Sequence, residues 1–534
     1  MLGQASIQAR AAHLEQNDLW ILVGLLGAAI PLIALARRVN IPYPIVLVLG
    51  GLILGFIPAL PHLEFDPNLV LVIFLPPLLY WEAVNAPTDV MRQNWSQIWV
   101  LAFGLVVVTA IVVAAVAQAT ISHMGWAMAF VLGAIVAPTD ELAAAPVLER
   151  LRMPRHLIAI VVGESLLNDA SALIMYNFAI VAVVTGSFIL GNALIHFVVA
   201  AAGGIAVGLI VGRLAVEGWR RIKDTQLQGV ISFEISYLAY LISERFSLSG
   251  VLAVVYGGMY VNRFTPRVVT PATRVAGRGY WDTVVFLINA VLFLMVGMQL
   301  HELGHFVLLE YSWQSVCWYV FVINVTVVGV RFAWILGVEY VPFIGASSEH
   351  AKGDWRHAVI ASWSGLRGAV SLAAALAIPV SVAGGGPLPH RHLVIFLAFS
   401  VILVTLVIGG LTLPWAVKAL STPEDSSEDD DEMREAWLAM TGAALEQLDE
   451  IADEGRLDAS AIARLRRRYE HRRQDVDGHP GDEEAIVDAE RRLLAAERRA
   501  LLEMREQGSI DNTVLRRLQH VLDISDERLE RGVH

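Results

Sequence analysis

Charge is what this chain has least of. Asp, Glu, Lys and Arg make up 17% of its 534 residues, against 56% hydrophobic residues, and the mean hydropathy is +0.58. Soluble domains carry about 25% charged residues, so this scarcity excludes an ordinary water-soluble globule and places the chain among membrane proteins. Cysteine is reduced to Cys317, which excludes an intrachain disulfide. A cleavable leader is also missing: residues 1–18 are polar, and the first apolar stretch runs into Arg37 and Arg38, as suits a retained first helix. The charged carboxy-terminal part has no phosphate-binding glycine loop and no zinc-type spacing, so no cofactor and no nucleic-acid partner is expected.

The charge that is present is unevenly spread. Residues 18–420 hold long apolar runs, while 421–534 are crowded with Asp, Glu and Arg. The expected organisation is a membrane domain over 1–420, an acidic linker STPEDSSEDDDE over 421–432, and a cytoplasmic helical tail over 433–534. The linker dominates the net charge of −12, which therefore says little about the membrane part. A bilayer core takes about 20 apolar residues per helix. That criterion gives thirteen spans, near 18–36, 42–58, 68–85, 97–120, 125–148, 156–183, 189–217, 226–246, 249–262, 279–300, 313–338, 355–382 and 393–417. The fold class expected is thus an all-α membrane protein. Connections alternate in sign, with sixteen Lys and Arg on one side and three (Arg10, Arg245, Arg391) on the other. This asymmetry puts the amino terminus outside and the tail in the cytoplasm.

Some spans carry polar groups in their middle, where a charge costs about 2.5–3.5 kcal/mol on insertion scales. The fifth contains Pro138, Thr139, Asp140 and Glu141 in succession. Proline removes a backbone donor, and two adjacent acids are poor neighbours in hydrocarbon. Local unwinding onto a watery cavity is the expectation, a simple proline kink the plainer alternative. In the sixth span Asp169 lies thirteen residues beyond His156, roughly 20 Å at the helical rise and so near mid-membrane. Ser165 and Asp169 share one face; Glu164 and Asn168 share the adjoining stripe. These are hard oxygen ligands of the kind an alkali cation prefers. Compensating charge comes from Arg331 in the eleventh span and from Arg367 in the twelfth, between Gly365 and Gly368. Interrupted helices in spans 5 and 12 occupy corresponding places in two halves, which is the pattern of a six-plus-six inverted repeat.

At this point the residues match a family. The segments FLPPLLYWEAV (74–84), APTDELAA (137–144), GESLLNDASALI (163–174), SERFSLSGVLAVVYGG (243–258), FLINAVLFLMVGMQL (286–300) and SGLRGAVSLAAAL (364–376) resemble the bacterial sodium/proton exchangers of the monovalent cation:proton antiporter superfamily, the branch that includes the animal plasma-membrane exchangers. The resemblance implies a transporter, not an enzyme, that exchanges sodium or lithium for protons in the bacterial inner membrane, and a homodimer. It implies that Asp169 binds cation and proton in turn, that Ser165 and the Thr139 carbonyl help to coordinate the ion beside Asp140, and that Glu164 pairs with Arg331. Arg367 would offset half-helix carbonyls at the second crossover. The Asn168–Asp169 pair marks the branch expected to exchange one cation per proton. One departure stands out: the family usually has Pro after the crossover Asp, and here Glu141 follows. Glu141 is either an added ligand or a proton acceptor in the cytoplasmic funnel, which Glu234 could also line. Glu82, Glu244 and Asp282 sit near span ends and read as solvated or structural.

Potassium in place of sodium is the close alternative, since flexible oxygen ligands do not fix ion size. A cation channel gated by the tail is a more distant one. An intramembrane aspartyl protease using Asp140 and Asp169 lacks its expected glycine-flanked motif. Helical periodicity recurs in the tail over 433–454, 459–476, 482–507 and 512–531. It reads either as a solvated bundle that mediates dimer contacts or as a regulatory module with an unknown partner. Its basic segment over 463–473 could touch anionic lipid or form one face of a helix.

Overall fold

The computed structural model describes residues 23–39, 41–57, 67–141, 144–151, 153–186, 190–340, 355–381, 386–420, 427–453, 458–477 and 483–507, with Leu518 and Leu522. Among them the chain is helical throughout, apart from loops and one isolated bridge between Ser381 and Pro387. It divides into two units, Met1–Asp425 and Ser426–His534.

The first unit begins with α1 (23–39), α2 (Tyr43–Gly55), α3 (Pro67–Asn85) and the short α4 (Thr88–Gln93). It continues with α5 (Trp95–Thr120), α6 (Trp126–Val136), α7 (Ala145–Arg150) and α8 (Arg155–Thr185). Next come α9 (Leu190–Arg221), α10 (Thr225–Arg245), α11 (Gly250–Val268), α12 (Pro271–Glu310) and α13 (Trp313–Tyr340). The last are α14 (Trp355–Trp363), α15 (Ala369–Leu376) and α16 (Arg391–Leu420). Six of the described helices are long and apolar enough to cross a membrane. Helix α12 extends well beyond the expected 279–300, because nothing breaks it. Pro271 sits in its first turn, where a missing N–H costs nothing, and Thr270 caps the start by accepting from the Thr273 amide at 3.3 Å.

The helices sort into two groups. In one, α2 packs on α12 and α9 on α11, with α3 and α10 beside them; in the other, α5, α6, α8 and α13 to α16 surround the two interrupted segments. With lipid outside, hydrophobicity does not drive helices together, and close backbone approach through small residues takes over. Gly204, Gly208 and Gly212 recur every fourth residue on α9 and lie against Ser249, which caps α11, and Ala253 and Gly257 within it, which repeat at the same interval. A Cβ on Gly208 would run into the Ala253 carbonyl. Gly51 and Gly297 bring α2 and α12 together in the same way.

The second unit holds α17 (Ser427–Asp453), α18 (Ala459–Asp477) and α19 (Glu483–Glu506). Helix α17 starts inside the stretch expected to be linker. An acidic run complements the positive end of a helix dipole, so these residues suit a first turn. The two helices α17 and α18 pack on one another, with an ion pair between Asp449 and Arg466. The expected helix over 512–531 lies outside the described residues, save Leu518 and Leu522.

Gly208→Val should force α9 and α11 apart, an overpacking cost of about 1–3 kcal/mol. Thermal unfolding of the purified protein in detergent should show a lower midpoint than wild type. Gly229→Ala, where an added Cβ meets open space, should leave the midpoint in place.

Candidate functional site

Helix α6 stops at Val136; Ala137 keeps helical angles, but Pro138 follows it without an amide hydrogen to carry the helix on. The chain stays non-helical from Pro138 to Glu141, and α7 then starts with Pro146 in its first turn. The second break runs from Ser364 to Gly368, between α14 and α15. In apolar surroundings each freed amide and carbonyl needs a partner. The two breaks supply one another. The Asp140 amide donates to the Leu366 carbonyl at 2.7 Å, and the Ala369 amide, first of α15, donates to Asp140 Oδ2 at 3.0 Å. Arg367 donates from Nε to the Val136 carbonyl at 3.2 Å and from Nη1 to the Gly365 carbonyl. Its guanidinium therefore serves the carbonyl ends of both broken helices, not the second alone. Gly368 leaves room for this contact: a Cβ there would fall on the Asp140 carboxylate.

Helix α8 closes the site from one side. Ser165 Oγ donates to the Thr139 carbonyl at 2.8 Å, and Asn168 Nδ2 donates to Thr139 Oγ1 at 2.9 Å. The Thr139 hydroxyl in turn donates to Glu164 Oε1 at 3.2 Å. Asp169 is 4% exposed, on the same face as Ser165, with Glu82 and Asp140 within electrostatic reach. Glu164 is clamped in bidentate fashion by Arg331: Nη2 donates to Oε2 at 3.0 Å and Nη1 to Oε1. Arg331 also donates to the Ser362 carbonyl at 3.1 Å and the Ala361 carbonyl at 2.9 Å, so it satisfies the end of α14. A planar guanidinium suits this fork; a lysine would not.

Five of the candidate residues (Thr139, Glu164, Ser165, Asn168 and Arg331) are joined to one another by these bonds, Asp140 and Arg367 tie the two breaks together, and Asp169 lies beside them. Glu141 joins the cluster as well. It is 8% exposed, lies within hydrogen-bond reach of Ser165 and electrostatic reach of Asp140 and Asp169, and leaves Oε2 without a partner. Glu234 is exposed on α10 and takes no part in these bonds. Glu82, read from the sequence as a span-end residue, belongs here too: its carboxyl lies within electrostatic reach of Glu141 and Asp140, and its Oε2 is buried without a partner. The signal for it was an acid in an apolar run just after Pro76 and Pro77. Two π-helical turns were not signalled at all. One, Val100–Leu105, offers the Ala102 carbonyl to Ser171 Oγ at 2.7 Å; the other, Thr405–Gly409, offers Thr405 Oγ1 to the Arg367 amide at 3.3 Å. Such turns free backbone groups for outside partners. The whole gathers carboxylates, a hydroxyl and a backbone carbonyl, an all-oxygen surrounding for a hard cation.

The family model described as sodium/hydrogen exchanger, transmembrane, matches residues 24–419. The chain belongs to the sodium/hydrogen exchanger family. Over nearly its whole length it is similar to an uncharacterized Na(+)/H(+) exchanger of Mycobacterium tuberculosis, 33% identical over 526 residues, covering 95% of this chain and 96% of the relative. A protein of Bacillus pumilus named as a sodium, potassium, lithium and rubidium/H(+) antiporter is 32% identical over 384 residues, 70% of this chain and 57% of the relative. In fold the chain is similar to the sodium proton antiporter MjNhaP1 of Methanocaldococcus jannaschii, with a TM-score of 0.59 at 20% identity over 76% of this chain and 99% of that one. Family membership makes this a membrane antiporter of monovalent cations and protons.

Arg331→Gln should strand the buried Glu164 carboxylate and cost about 3–5 kcal/mol. Glu164→Gln should strand the guanidinium in the same way. The double variant should lose less than the sum of the two, measured as unfolding midpoints in a double-mutant cycle.

Proposed function

We propose that this chain exchanges sodium or lithium for protons, one for one, with the two competing for Asp169. The observation that carries this reading is the placement of a buried carboxylate beside Ser165, the Thr139 carbonyl and Asp140, at the meeting of two helix breaks. A bare carboxylate is too costly to carry through an apolar barrier. A bound cation or a bound proton neutralises it, so only occupied forms move between inward-open and outward-open states. Exchange is then obligatory and electrically silent. Asp140, Ser165 and Thr139 hold the ion with Asp169, Asn168 positions Thr139, and the Glu164–Arg331 pair and Arg367 keep the breaks in register. Glu141 and Glu82 supply further carboxyl oxygens at the cluster. The surrounding architecture in this reading is thirteen spans in a six-plus-six inverted repeat, a homodimer in the bacterial plasma membrane with its amino terminus outside and a regulatory tail in the cytoplasm. The physiological role is pH and sodium homeostasis.

A second reading keeps the mechanism and adds potassium as a substrate. It is favoured by the Bacillus pumilus relative, which is named for potassium as well as sodium. Everted vesicles loaded with a pH-sensitive dye and given sodium, lithium and potassium pulses in turn separate the two. The sodium reading expects proton movement with the first two alone, and a response to potassium of similar size replaces it with the second. Asp169→Asn should abolish the response to every cation while the protein remains folded and correctly inserted. Exchange that survives this change removes Asp169 from the centre of the mechanism.

A further inference from the structure

A cavity of about 710 Å³ lies between α13, the break after α14, and α16. It falls within the size range of small-molecule sites, about 300–1,000 Å³, and it is separate from the oxygen cluster around Asp169. Its walls are mostly apolar, with Val316, Phe321, Val325 and Val328 from α13 and Phe396 and Ile408 from α16; Asn324 and Thr405 are polar exceptions. Gly365, Leu366 and Arg367 lie at its base, with Arg331. Both guanidiniums turn donors into the protein, Arg331 onto Glu164 and the carbonyls of α14, Arg367 through Nε and Nη1 onto the carbonyls of Val136 and Gly365. The base therefore offers little to a charged or strongly polar headgroup. What fits is a chain of methylenes.

Two further features say where such a chain comes from. Phe321 and Ile408 in the lining are exposed, as are Trp318 on α13 and Leu411 and Trp415 on α16, and in a membrane protein that is the surface lipid covers. Along α13 the lining runs from Val316, in the first turn, to Phe332, sixteen residues or about 24 Å at the helical rise. The hydrocarbon of one leaflet is about 15 Å deep, half of a core of roughly 30 Å. The cavity thus starts near one membrane face and reaches past the middle, deep enough for one leaflet's chain.

We propose that this cavity is a binding site for one acyl chain of a membrane phospholipid, which enters from the Trp313 end of α13 and leaves its headgroup at the interface. The chain fills the space behind Gly365–Arg367 and braces the second helix break from the side opposite Asp140.

The test uses the full-length protein. Cys317 is exposed, lines the cavity and is the only cysteine, so a bimane fluorophore can be attached there without other changes. The labelled protein is reconstituted into bilayers with rising fractions of phosphatidylcholine brominated on its acyl chains. Quenching should saturate well before the brominated lipid predominates. A control label on the lipid-exposed face of α9 (Cys317→Ala with Ile195→Cys) should be quenched only in proportion to lipid fraction. Gly329→Leu fills the cavity from α13, at a position where an added Cβ meets open space and leucine favours the helix. It should abolish the saturable component. Proportional quenching at Cys317, saturation at the control position too, or saturation that survives Gly329→Leu would each overturn the proposal. So would saturation by brominated stearic acid without any by the phospholipid, which would make the occupant a free fatty acid. If Gly329→Leu fails to fold, the comparison of the two label positions decides.

Discussion

Everything around the candidate site depends on one constraint: inside a membrane, a helix can be interrupted only where something else satisfies the backbone it exposes. An orphaned amide or carbonyl costs several kcal/mol in hydrocarbon. Here each interruption is the other's solvent. The amide of Asp140 is met by the carbonyl of Leu366, the first amide of α15 by the side chain of Asp140, and the last carbonyl of α6 by Arg367. Neither break is stable without its counterpart, so the pair behaves as one element.

The Glu164–Arg331 pair extends that element to its neighbours. Through one guanidinium, α13 is tied to α8 and to the carbonyl end of α14, and through Ser165 and Asn168, α8 is tied to Thr139 in the first break. A buried ion pair is not by itself a large source of stability, since desolvation offsets much of the attraction. Its value here is geometric. It fixes the rotation of α8, and with it the direction in which Asp169 presents its carboxylate.

Much of this was legible beforehand. Pro138 followed by Thr, Asp and Glu in an apolar run announces a break, and the spacing of Glu164, Ser165, Asn168 and Asp169 places four polar groups on adjoining stripes of one helix. Charges that must be buried announce one another, which is why Arg331 and Arg367 could be set against the acids. What could not be read were contacts that depend on how helices approach. Glu82 looked like a residue at a span end, because hydropathy gives depth along a helix and not the direction it faces. Glu141 was left between two roles for the same reason. The π turns carry no composition of their own, since the extra residue is accommodated by packing against Ser171 and Arg367 rather than by any local preference. The length of α12 was missed because hydropathy marks where lipid ends, while a helix ends only where its caps or a breaker say so.

The crossing of the two interruptions is made largely of main-chain atoms, and this has a consequence for how such a protein can change over generations. Side chains around these main-chain groups can be exchanged where they take no part in the bonds. The number of residues cannot. Adding or deleting a single position between Val136 and Asp140, or between Trp363 and Ala369, would leave the composition almost untouched. It would nevertheless move every donor away from its acceptor. Loop length there should be more strictly inherited than loop sequence.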